Sequence, residues 1–414
     1  MKSTKCVLVV DDDPAILTIA SKRLSAEGVR TLTAANGADG LRMAKEHRPD
    51  VVVLDLMMPG MHGYTLIQEL RNDPSLSQVR ILVTSSKTFS SDIERTRRLG
   101  ADRYLSKPFD LQVFWNTVAE LLGETHPPFT IRFWGTRGSI ATPGTDTIRY
   151  GGNTACTEVR CGDQLLILDA GTGIRVLGLS LLREFQKNPM KGHIFVGHTH
   201  WDHIQGFPFF APAYNPANEF TIYSLHGAEK PLQKVFRGQM DSDYFPVLLS
   251  EMKATLNFCE LESAVQIGEI QVSFIYLNHP GLAVGFRITF AGRTLVYLSD
   301  HETYGRMSPQ GSGPNPLDTE IERFAENADL LISEAQYTEE EYVQKKGWGH
   351  STFLDALERA ARAKVKRLAI FHHDPAHDDA FMDGIQEFCE KTIADRNYTF
   401  SCQVAQEGTA VELL

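Results

Sequence analysis

The sequence predicts an α/β protein with two domains, a doubly wound parallel sheet followed by a layered α/β sandwich. Between residues 5 and 123, five short apolar runs alternate with segments in which apolar residues recur every three or four positions. This alternation is typical of (βα)5 units with a parallel sheet. After the helix-breaking stretch GETHPPFT at residues 123–130, long β-type runs dominate, with helices between and after them. We therefore expect domains at residues 1–123 and 131–414, joined by a linker at 124–130.

Composition restricts the class of protein. No run approaches the roughly 20 consecutive apolar residues that a membrane-spanning helix needs, so we expect no membrane partner. The N-terminal sequence MKSTKCVLVVDDD lacks the long apolar run of a signal peptide. The six cysteines are sparse and none forms a C-x-x-C pair, which is typical of reduced thiols. These features predict a cytoplasmic protein.

Charge is unevenly distributed along the chain. Residues 1–124 contain 16 basic and 16 acidic residues, so the remaining residues carry the whole net charge of −11. A domain of that sign gains nothing from counterion release on a nucleic-acid backbone. We therefore do not expect nucleic acid as the substrate.

Acidic, hydroxyl and basic residues follow the strands of the N-terminal domain. Asp11 and Asp12 end the first apolar run, Asp55 the third, Thr84 the fourth and Lys107 the fifth. The carboxyl ends of parallel strands meet at one edge of a sheet, where ligands bind. Clustered carboxylates favour a hard cation such as Mg²⁺, beside which a carboxylate can attack a phosphoryl group. The hydroxyl and the lysine could then bind the phosphoryl oxygens.

This constellation resembles the receiver domain of two-component response regulators over residues 1–123. The resemblance implies that Asp55 accepts a phosphoryl group from a sensor histidine kinase. It also implies an Mg²⁺ site formed by Asp11, Asp12 and Asp55. The residues that would switch on activation are Thr84, Tyr104 and Lys107.

The stretch HTHWDH at residues 198–203 places four potential metal ligands within six positions. It follows the apolar run HIFVG, so His198 and His200, two residues apart, point the same way on extended backbone. Asp202 and His203 come after the chain turns and can bind a neighbouring ion. Imidazoles with a carboxylate suit Zn²⁺, Mn²⁺ or iron better than Mg²⁺ or Ca²⁺.

Further candidate ligands follow later apolar runs. His279 ends IYLNH and Asp300 ends LVYLSD, while LAIFHHDP contains the adjacent His372 and His373. Only one of these two histidines can face the metals if the strand continues through them. Its spacing from the strand favours His372.

The order of these residues resembles that of the metallo-β-lactamase superfamily, whose fold is an αββα sandwich. The resemblance implies two metal ions, which can activate water and stabilise charge on a phosphoryl or carbonyl oxygen. Asp374, Asp378 and Asp379 are candidates to orient the ligand imidazoles, although for the last two an ordinary surface loop is an equal expectation. One ion would be held by His198, His200 and His279 and the other by Asp202, His203 and His372, with Asp300 bridging them.

Two stretches, ADLLISEAQYT at residues 328–338 and KKGWGHSTFLDAL at residues 345–357, favour phosphodiester cleavage among the reactions of this superfamily. They resemble nucleolytic members of the superfamily such as ribonuclease Z: the His-Ser-Thr motif is intact at His350, whereas only the acid of the His-Glu-Ala-Thr motif remains, as Glu334. There the histidine contacts the scissile phosphate or protonates the leaving oxygen and the glutamate orients it, which implies catalytic roles for His350 and Glu334. Asp202 is a third catalytic candidate. The alternative is that His350 only belongs to the N-cap region of the next helix.

The segment between Trp201 and His279 predicts a compact lid of mixed charge rather than a basic RNA-binding arm. The stretches FWGTRGSI, RYGGNTAC and DAGTG resemble bacterial proteins related to cyclic-nucleotide phosphodiesterases. Tyr244 and Phe245 could contact substrate, although core packing is the simpler expectation. We expect a homodimeric, phosphorylation-controlled dinuclear phosphodiesterase that cleaves a small diester such as a 3′,5′-cyclic nucleotide. The alternatives are an RNA-processing endonuclease of ribonuclease Z type and a metal-stabilised, non-catalytic scaffold.

Overall fold

The computed structural model describes residues 5–86, 90–109, 111–123, 128–186, 188–225, 230–307 and 315–413. The chain divides into two compact units, Met1–His126 and Pro127–Leu413. Of the expected linker, residues 124–127 lie outside the described residues, and the first strand of the second unit begins at Phe129, two residues before the expected domain boundary. No helix in the described ranges is long and apolar enough to cross a membrane.

The first unit is a five-stranded parallel sheet with helices between its strands, which confirms the predicted doubly wound fold. The strand order is β2-β1-β3-β4-β5. In chain order the elements are β1 (Cys6–Val10), α1 (Pro14–Ala26), β2 (Arg30–Ala34), α2 (Gly37–His47), β3 (Val51–Asp55), α3 (Gly63–Asn72), β4 (Arg80–Ser85), α4 (Ser90–Arg98), β5 (Arg103–Ser106) and α5 (Leu111–Leu121).

Strands β1 and β3 are buried along their whole length. Helices cover both faces of a parallel sheet, so its central strands are apolar without alternation. The strand order reverses direction between β1 and β3, and a crevice opens at the carboxyl ends of strands at such a point. This topology places Asp11 and Asp55 side by side.

The second unit is a sandwich of two seven-stranded sheets with helices outside, which confirms the predicted αββα fold. The sheet orders are β11-β10-β9-β8-β7-β6-β19 and β12-β13-β14-β15-β16-β17-β18. The elements are β6 (Phe129–Gly135), β7 (Cys156–Cys161), β8 (Gln164–Leu168), α6 (Gly173–Phe185), β9 (Lys191–Phe195), α7 (Trp201–Ile204), β10 (Glu219–Ser224), α8 (Leu232–Gln239), β11 (Thr255–Glu260), β12 (Val265–Ile267), β13 (Ile270–Leu277), β14 (Ala283–Phe290), β15 (Arg293–Leu298), α9 (Tyr304–Met307), α10 (Pro316–Phe324), β16 (Leu330–Glu334), α11 (Glu339–Lys345), α12 (Phe353–Arg362), β17 (Arg367–Phe371), α13 (Asp379–Asp395), β18 (Ser401–Val404) and β19 (Ala410–Glu412).

Aromatic side chains join the two sheets. The rings of Phe195 and Phe286 lie edge to face with centroids 5.5 Å apart, and those of Phe133 and Phe371 lie 5.9 Å apart. Helices α6 and α8 cover the outer face of the first sheet, while α10, α12 and α13 cover that of the second. Buried apolar layers on both sides of each sheet fix the positions of the strand ends.

The strand ends build one site. Strands β8 and β9 run parallel in the first sheet, and β15, β16 and β17 run parallel in the second. Strand β13 runs in the same direction as β15, because both are antiparallel to β14. The polar residues that follow these strands therefore collect at one edge of each sheet.

Candidate active site

The first group of predicted ligands comes together around His198, His200, His279 and Asp300. One nitrogen or carboxylate oxygen from each lies within 4.8 Å of the others. Nδ1 of His200 is 3.1 Å from Nε2 of His279, and Nε2 of His198 is 3.5 Å from Oδ2 of Asp300. A single cation at the centre of this group could contact all four side chains.

The second group consists of Asp202, His203, Asp300 and His372, again with ligand atoms within 4.8 Å of one another. Nε2 of His372 is 3.1 Å from Oδ2 of Asp202 and 3.2 Å from Nε2 of His203. The backbone of His200 is extended and the one-turn helix α7 follows it, and the ring centroid of His203 lies 4.2 Å from that of His198, so the two groups adjoin. Asp300 belongs to both groups, the arrangement that a bridging carboxylate requires.

The adjacent histidines after β17 face different surroundings. His372 has a left-handed φ of 64°, which turns its ring into the second group. Nε2 of His373 instead lies 2.9 Å from the carbonyl oxygen of Ala405, outside the site. A Cβ atom at Gly138 would lie 2.5 Å from the His372 ring, so only glycine allows this close approach. The geometry agrees with the preference for His372.

The residues of both groups fit metal ions. His198 is 3% exposed, and in the described part of the chain neither of its ring nitrogens has a hydrogen-bond partner. A buried nitrogen without a partner costs about 1–3 kcal/mol, which a cation at this position would offset. Burial lowers the pKa of His198 well below its ordinary value, so the ring is neutral, the form that binds a metal. Imidazole and carboxylate donors together suit divalent transition metals.

Asp169, which the sequence did not identify, orients one of these imidazoles. Its Oδ2 lies 2.8 Å from Nδ1 of His203 and accepts a hydrogen bond from the Tyr297 hydroxyl, while its Oδ1 accepts one from the Gly197 amide. Burial lowers the pKa of His203, but the neighbouring carboxylates outweigh burial and hold that pKa well above its ordinary value. The sequence feature that could have identified Asp169 is its position directly after the apolar strand QLLIL, at the start of the DAGTG turn.

The acids expected to orient the imidazoles have other partners. Asp374 accepts a hydrogen bond from Nζ of Lys345 at 3.0 Å. Asp378 caps the N-terminus of α13, and Asp379 accepts hydrogen bonds from the backbone of residues 149 and 150. The expectation was therefore wrong, because nearness to His372 in sequence does not place a side chain against its ring once the chain turns.

His350 lies between the two groups, paired with Glu334. Its ring centroid is 5.2 Å from that of His279 and 5.3 Å from that of His372. Nδ1 of His350 is 3.4 Å from Oε2 of Glu334, whose other oxygen accepts a hydrogen bond from the Ser351 amide. Burial, reinforced by the charge of Asp300, raises the pKa of Glu334 well above its ordinary value. Among the described residues neither of these two atoms has a hydrogen-bond partner, and burial lowers the pKa of His350.

Thr352 caps helix α12, and its side chain accepts a hydrogen bond from the Asp355 amide. Capping therefore does not account for His350, whose ring faces the ligand groups instead.

A second residue that the sequence did not identify, Glu302, holds the loop that carries His350. Its carboxylate accepts hydrogen bonds from the Tyr342 hydroxyl and from the amides of Gly347 and Gly349. The carbonyl oxygen of Gly349 is in turn 2.9 Å from Nδ1 of His279, which directs Nε2 of that ring toward the first group. One buried carboxylate thus positions both a predicted ligand and the residue before His350.

The N-terminal unit has a separate acidic site. Ligand atoms of Asp11, Asp12 and Asp55 lie within 4.8 Å of one another, and these oxygens fit Mg²⁺. Nζ of Lys107 lies 2.7 Å from Oδ2 of Asp11 and 2.9 Å from Oδ2 of Asp55. Burial raises the pKa of Asp11.

The predicted switch residues lie beside this site. Thr84 is buried and pairs with Asp55 in the sheet register, and Tyr104 pairs with the preceding residue of β4. Tyr104 is half-buried, and its burial raises its pKa. The structure therefore brings together the six N-terminal residues that the sequence singled out.

Comparisons with known proteins match both units. The family model for a response regulator receiver domain matches residues 7–119, and that for a beta-lactamase superfamily domain matches residues 165–373, just over half of the chain. The protein PilH of Pseudomonas aeruginosa is 33% identical over 116 residues, which are 28% of this chain and 96% of PilH.

Two solved structures resemble the second unit. The metallo-beta-lactamase fold protein YhfI of Bacillus subtilis is 20% identical with a TM-score of 0.48, covering 69% of this chain and all of that one. The short form of human tRNase Z is 19% identical with a TM-score of 0.47, covering 68% of this chain and 98% of that one.

Replacing the two adjacent histidines separately tests the ligand assignment. We expect His372→Ala to lower the metal content from about two ions to about one per chain, because it removes a donor from the second group. His373→Gln should retain both ions, since its side chain can still donate to Ala405. Elemental analysis after gel filtration measures the ratio. Full metal content in His372→Ala would show that this histidine is not a ligand.

Replacing Glu302 tests whether its carboxylate holds the loop before His350 in place. We expect Glu302→Ala to weaken metal affinity by about 10–100-fold, because His279 loses the fixed carbonyl that orients it. Competition with a chelator measures the affinity. Glu302→Gln, which keeps one acceptor oxygen, should fall between this variant and the wild type, while Glu340→Ala, on the exposed side of α11, is the control. Equal metal affinities in Glu302→Ala and Glu340→Ala would show that Glu302 does not position the ligands.

Proposed function

Because the chain belongs to the beta-lactamase superfamily of metal-dependent hydrolases and begins with a response regulator receiver domain, we propose that it is a response regulator that hydrolyses a small phosphodiester. The substrate we propose is a 3′,5′-cyclic nucleotide. A sensor histidine kinase would supply the phosphoryl group that controls the rate.

The pair formed by His350 and Glu334 carries the proposal of phosphodiester cleavage. An alkoxide leaving group has a high pKa, so it needs a proton from a placed acid as its bond to phosphorus breaks. Nδ1 of His350 faces Glu334, which leaves Nε2 to donate to the leaving oxygen. Lactam and thioester hydrolysis have no comparable need for this pair.

The seven predicted ligands would hold two divalent transition-metal ions, zinc, manganese or iron, which supply the positive charge that polarises a phosphoryl group and activates water. Asp202 accepts a hydrogen bond from the Ser139 amide at 2.7 Å, which fixes its carboxylate among the ligands. Asp169 holds the ring of His203, and Glu302 holds the loop before His350. These residues keep the reacting groups in place, so that little reorganisation is needed during the reaction.

Two observations favour a small diester over RNA. The chain has a net charge of −11, and residues 125–414 carry all of it. Between Trp201 and His279 the described residues include the short helix α8 and four strands rather than an extended basic arm. A long polyanion would meet repulsion that a single phosphodiester avoids.

A substrate panel tests the proposal. We expect the protein loaded with Mn²⁺ or Zn²⁺ to hydrolyse 3′,5′-cyclic AMP or 3′,5′-cyclic GMP with a higher kcat/KM than a dinucleotide or a structured RNA. His350→Ala should lower kcat/KM several hundredfold because it removes the acid, with metal content unchanged. His193→Ala, which alters a half-buried histidine of β9 next to Tyr223, is the matched control.

Three results would contradict the proposal. Cleavage of RNA alone would identify a nuclease. Full metal occupancy without turnover of any diester, including methyl 4-nitrophenyl phosphate, would identify a non-catalytic scaffold. Lactam or thioester hydrolysis that is insensitive to His350→Ala would identify another hydrolase class.

Phosphorylation is tested with acetyl phosphate and Mg²⁺. We expect this treatment to change kcat of the wild-type protein and to leave Asp55→Asn unchanged, because the amide cannot accept the phosphoryl group. Asp39→Asn, at an exposed acid of α2, is the control. Intact mass measures phosphoryl transfer, and sedimentation of the same samples tests the expected homodimer. Phosphoryl incorporation into Asp55→Asn would show that another residue is the acceptor.

A further inference from the structure

A groove with a volume of about 950 Å³ lies beside the HTHWDH loop. Aromatic residues from three separate segments line it, together with two lysines of the segment that leads into and through α8. We call it the aromatic groove, and its defining residues are Trp201, Phe209, Lys230, Lys234, Tyr244 and Phe245.

The aromatic side chains of the groove are unusually exposed. Trp201 is 78% exposed, Tyr244 81% and Phe209 53%. The rings of Phe209 and Phe245 lie edge to face with centroids 5.3 Å apart, so these two lining residues pack against each other. Core packing therefore does not account for Tyr244, and a cluster of exposed aromatic rings marks a binding surface.

The polar residues of the groove favour an anion with hydrogen-bond acceptors. Lys230 and Lys234 are exposed, and neither has an ion-pair partner within the described ranges, although the chain carries a net charge of −11. Gln239 also lines the groove, and its buried amide nitrogen has no hydrogen-bond partner among the residues described. The two lysines thus present free donors next to aromatic rings.

The groove borders the loop that carries several predicted ligands of the candidate active site. Thr199 and Trp201, which both line it, alternate along the chain with the predicted ligands His198, His200 and Asp202. The loop that carries these ligands therefore also forms one wall of the groove.

We propose that the aromatic groove binds the base of a nucleotide substrate, stacked on Trp201 and Tyr244. Lys230 and Lys234 attract the anionic nucleotide and donate to acceptor atoms on the base edge. This inference rests on the proposed function, because the phosphate must occupy the metal centre. Stacking on aromatic rings tolerates different bases, since every base has a π-face.

Binding of a product-like ligand tests the groove without catalysis. Isothermal titration of the metal-loaded protein uses adenosine 5′-monophosphate, with ribose 5-phosphate as the probe that lacks a base. We expect Tyr244→Ala to weaken binding of the first ligand about tenfold, because it removes a stacking ring, and to leave binding of the second unchanged. Lys234→Ala should also weaken binding of adenosine 5′-monophosphate. Tyr276→Ala, at a 57% exposed tyrosine of β13, and Lys253→Ala are the matched controls.

Steady-state kinetics provides the second measurement. Tyr244→Ala should raise KM for the cyclic nucleotide about tenfold with kcat retained. Nucleotide binding that depends on Tyr244, in a protein that cleaves no diester, would support the groove while the proposed function fails.

The inference is overturned if Tyr244→Ala and Tyr276→Ala bind adenosine 5′-monophosphate equally well. It is also overturned if Tyr244→Ala loses affinity for ribose 5-phosphate to the same degree, which would indicate a structural defect. Dissociation of a dimer by Tyr244→Ala, with nucleotide binding unchanged, would assign the groove to a second copy of the chain.

Discussion

The buried carboxylate of Asp300 is the feature on which the second unit depends. It is 2% exposed and belongs to both ligand groups, so its charge lies in a region from which water is excluded. A buried carboxylate is stable only when positive charge or hydrogen-bond donors compensate it. Here imidazoles from both sheets surround it, and their convergence requires the strand ends to be held in place by the aromatic layer between the sheets. The packing of the core therefore determines whether the ligand residues of the site can converge.

The same structural rule produces two sites of different chemistry. In both units, polar residues follow buried parallel strands and meet at one edge of the sheet. The N-terminal site offers three carboxylates and a lysine, which suits Mg²⁺ and a phosphoryl group. The C-terminal site offers mainly imidazoles, which suits transition metals. The residue types after each strand, rather than the fold class, decide which cation each unit can hold.

The sequence was sufficient to predict the strands that carry the site and the residues that follow them, because burial on both faces leaves long apolar runs. Short edge strands such as Val265–Ile267 and Ala410–Glu412 were not predicted, because three residues are too few to show the apolar periodicity of a strand. Asp169 and Glu302 were missed for another reason. Each acts through contacts with distant segments, His203 and Tyr297 for the first and residues 342–349 for the second, and only tertiary structure brings those segments together.

The loop from residue 346 to residue 350 links a predicted metal ligand to the residue proposed as the proton donor. Gly349 has a φ of 88°, and a Cβ atom there would lie 2.3 Å from the ring of His279, so the loop packs directly on a predicted ligand. Glu302, two residues after Asp300, holds the same loop from the other side. A shift of His350 would therefore also move the carbonyl that orients His279. The residue proposed as the acid and the predicted metal ligand must therefore move together, which would keep the proposed proton donor in a fixed position relative to bound ions as substrates enter and leave.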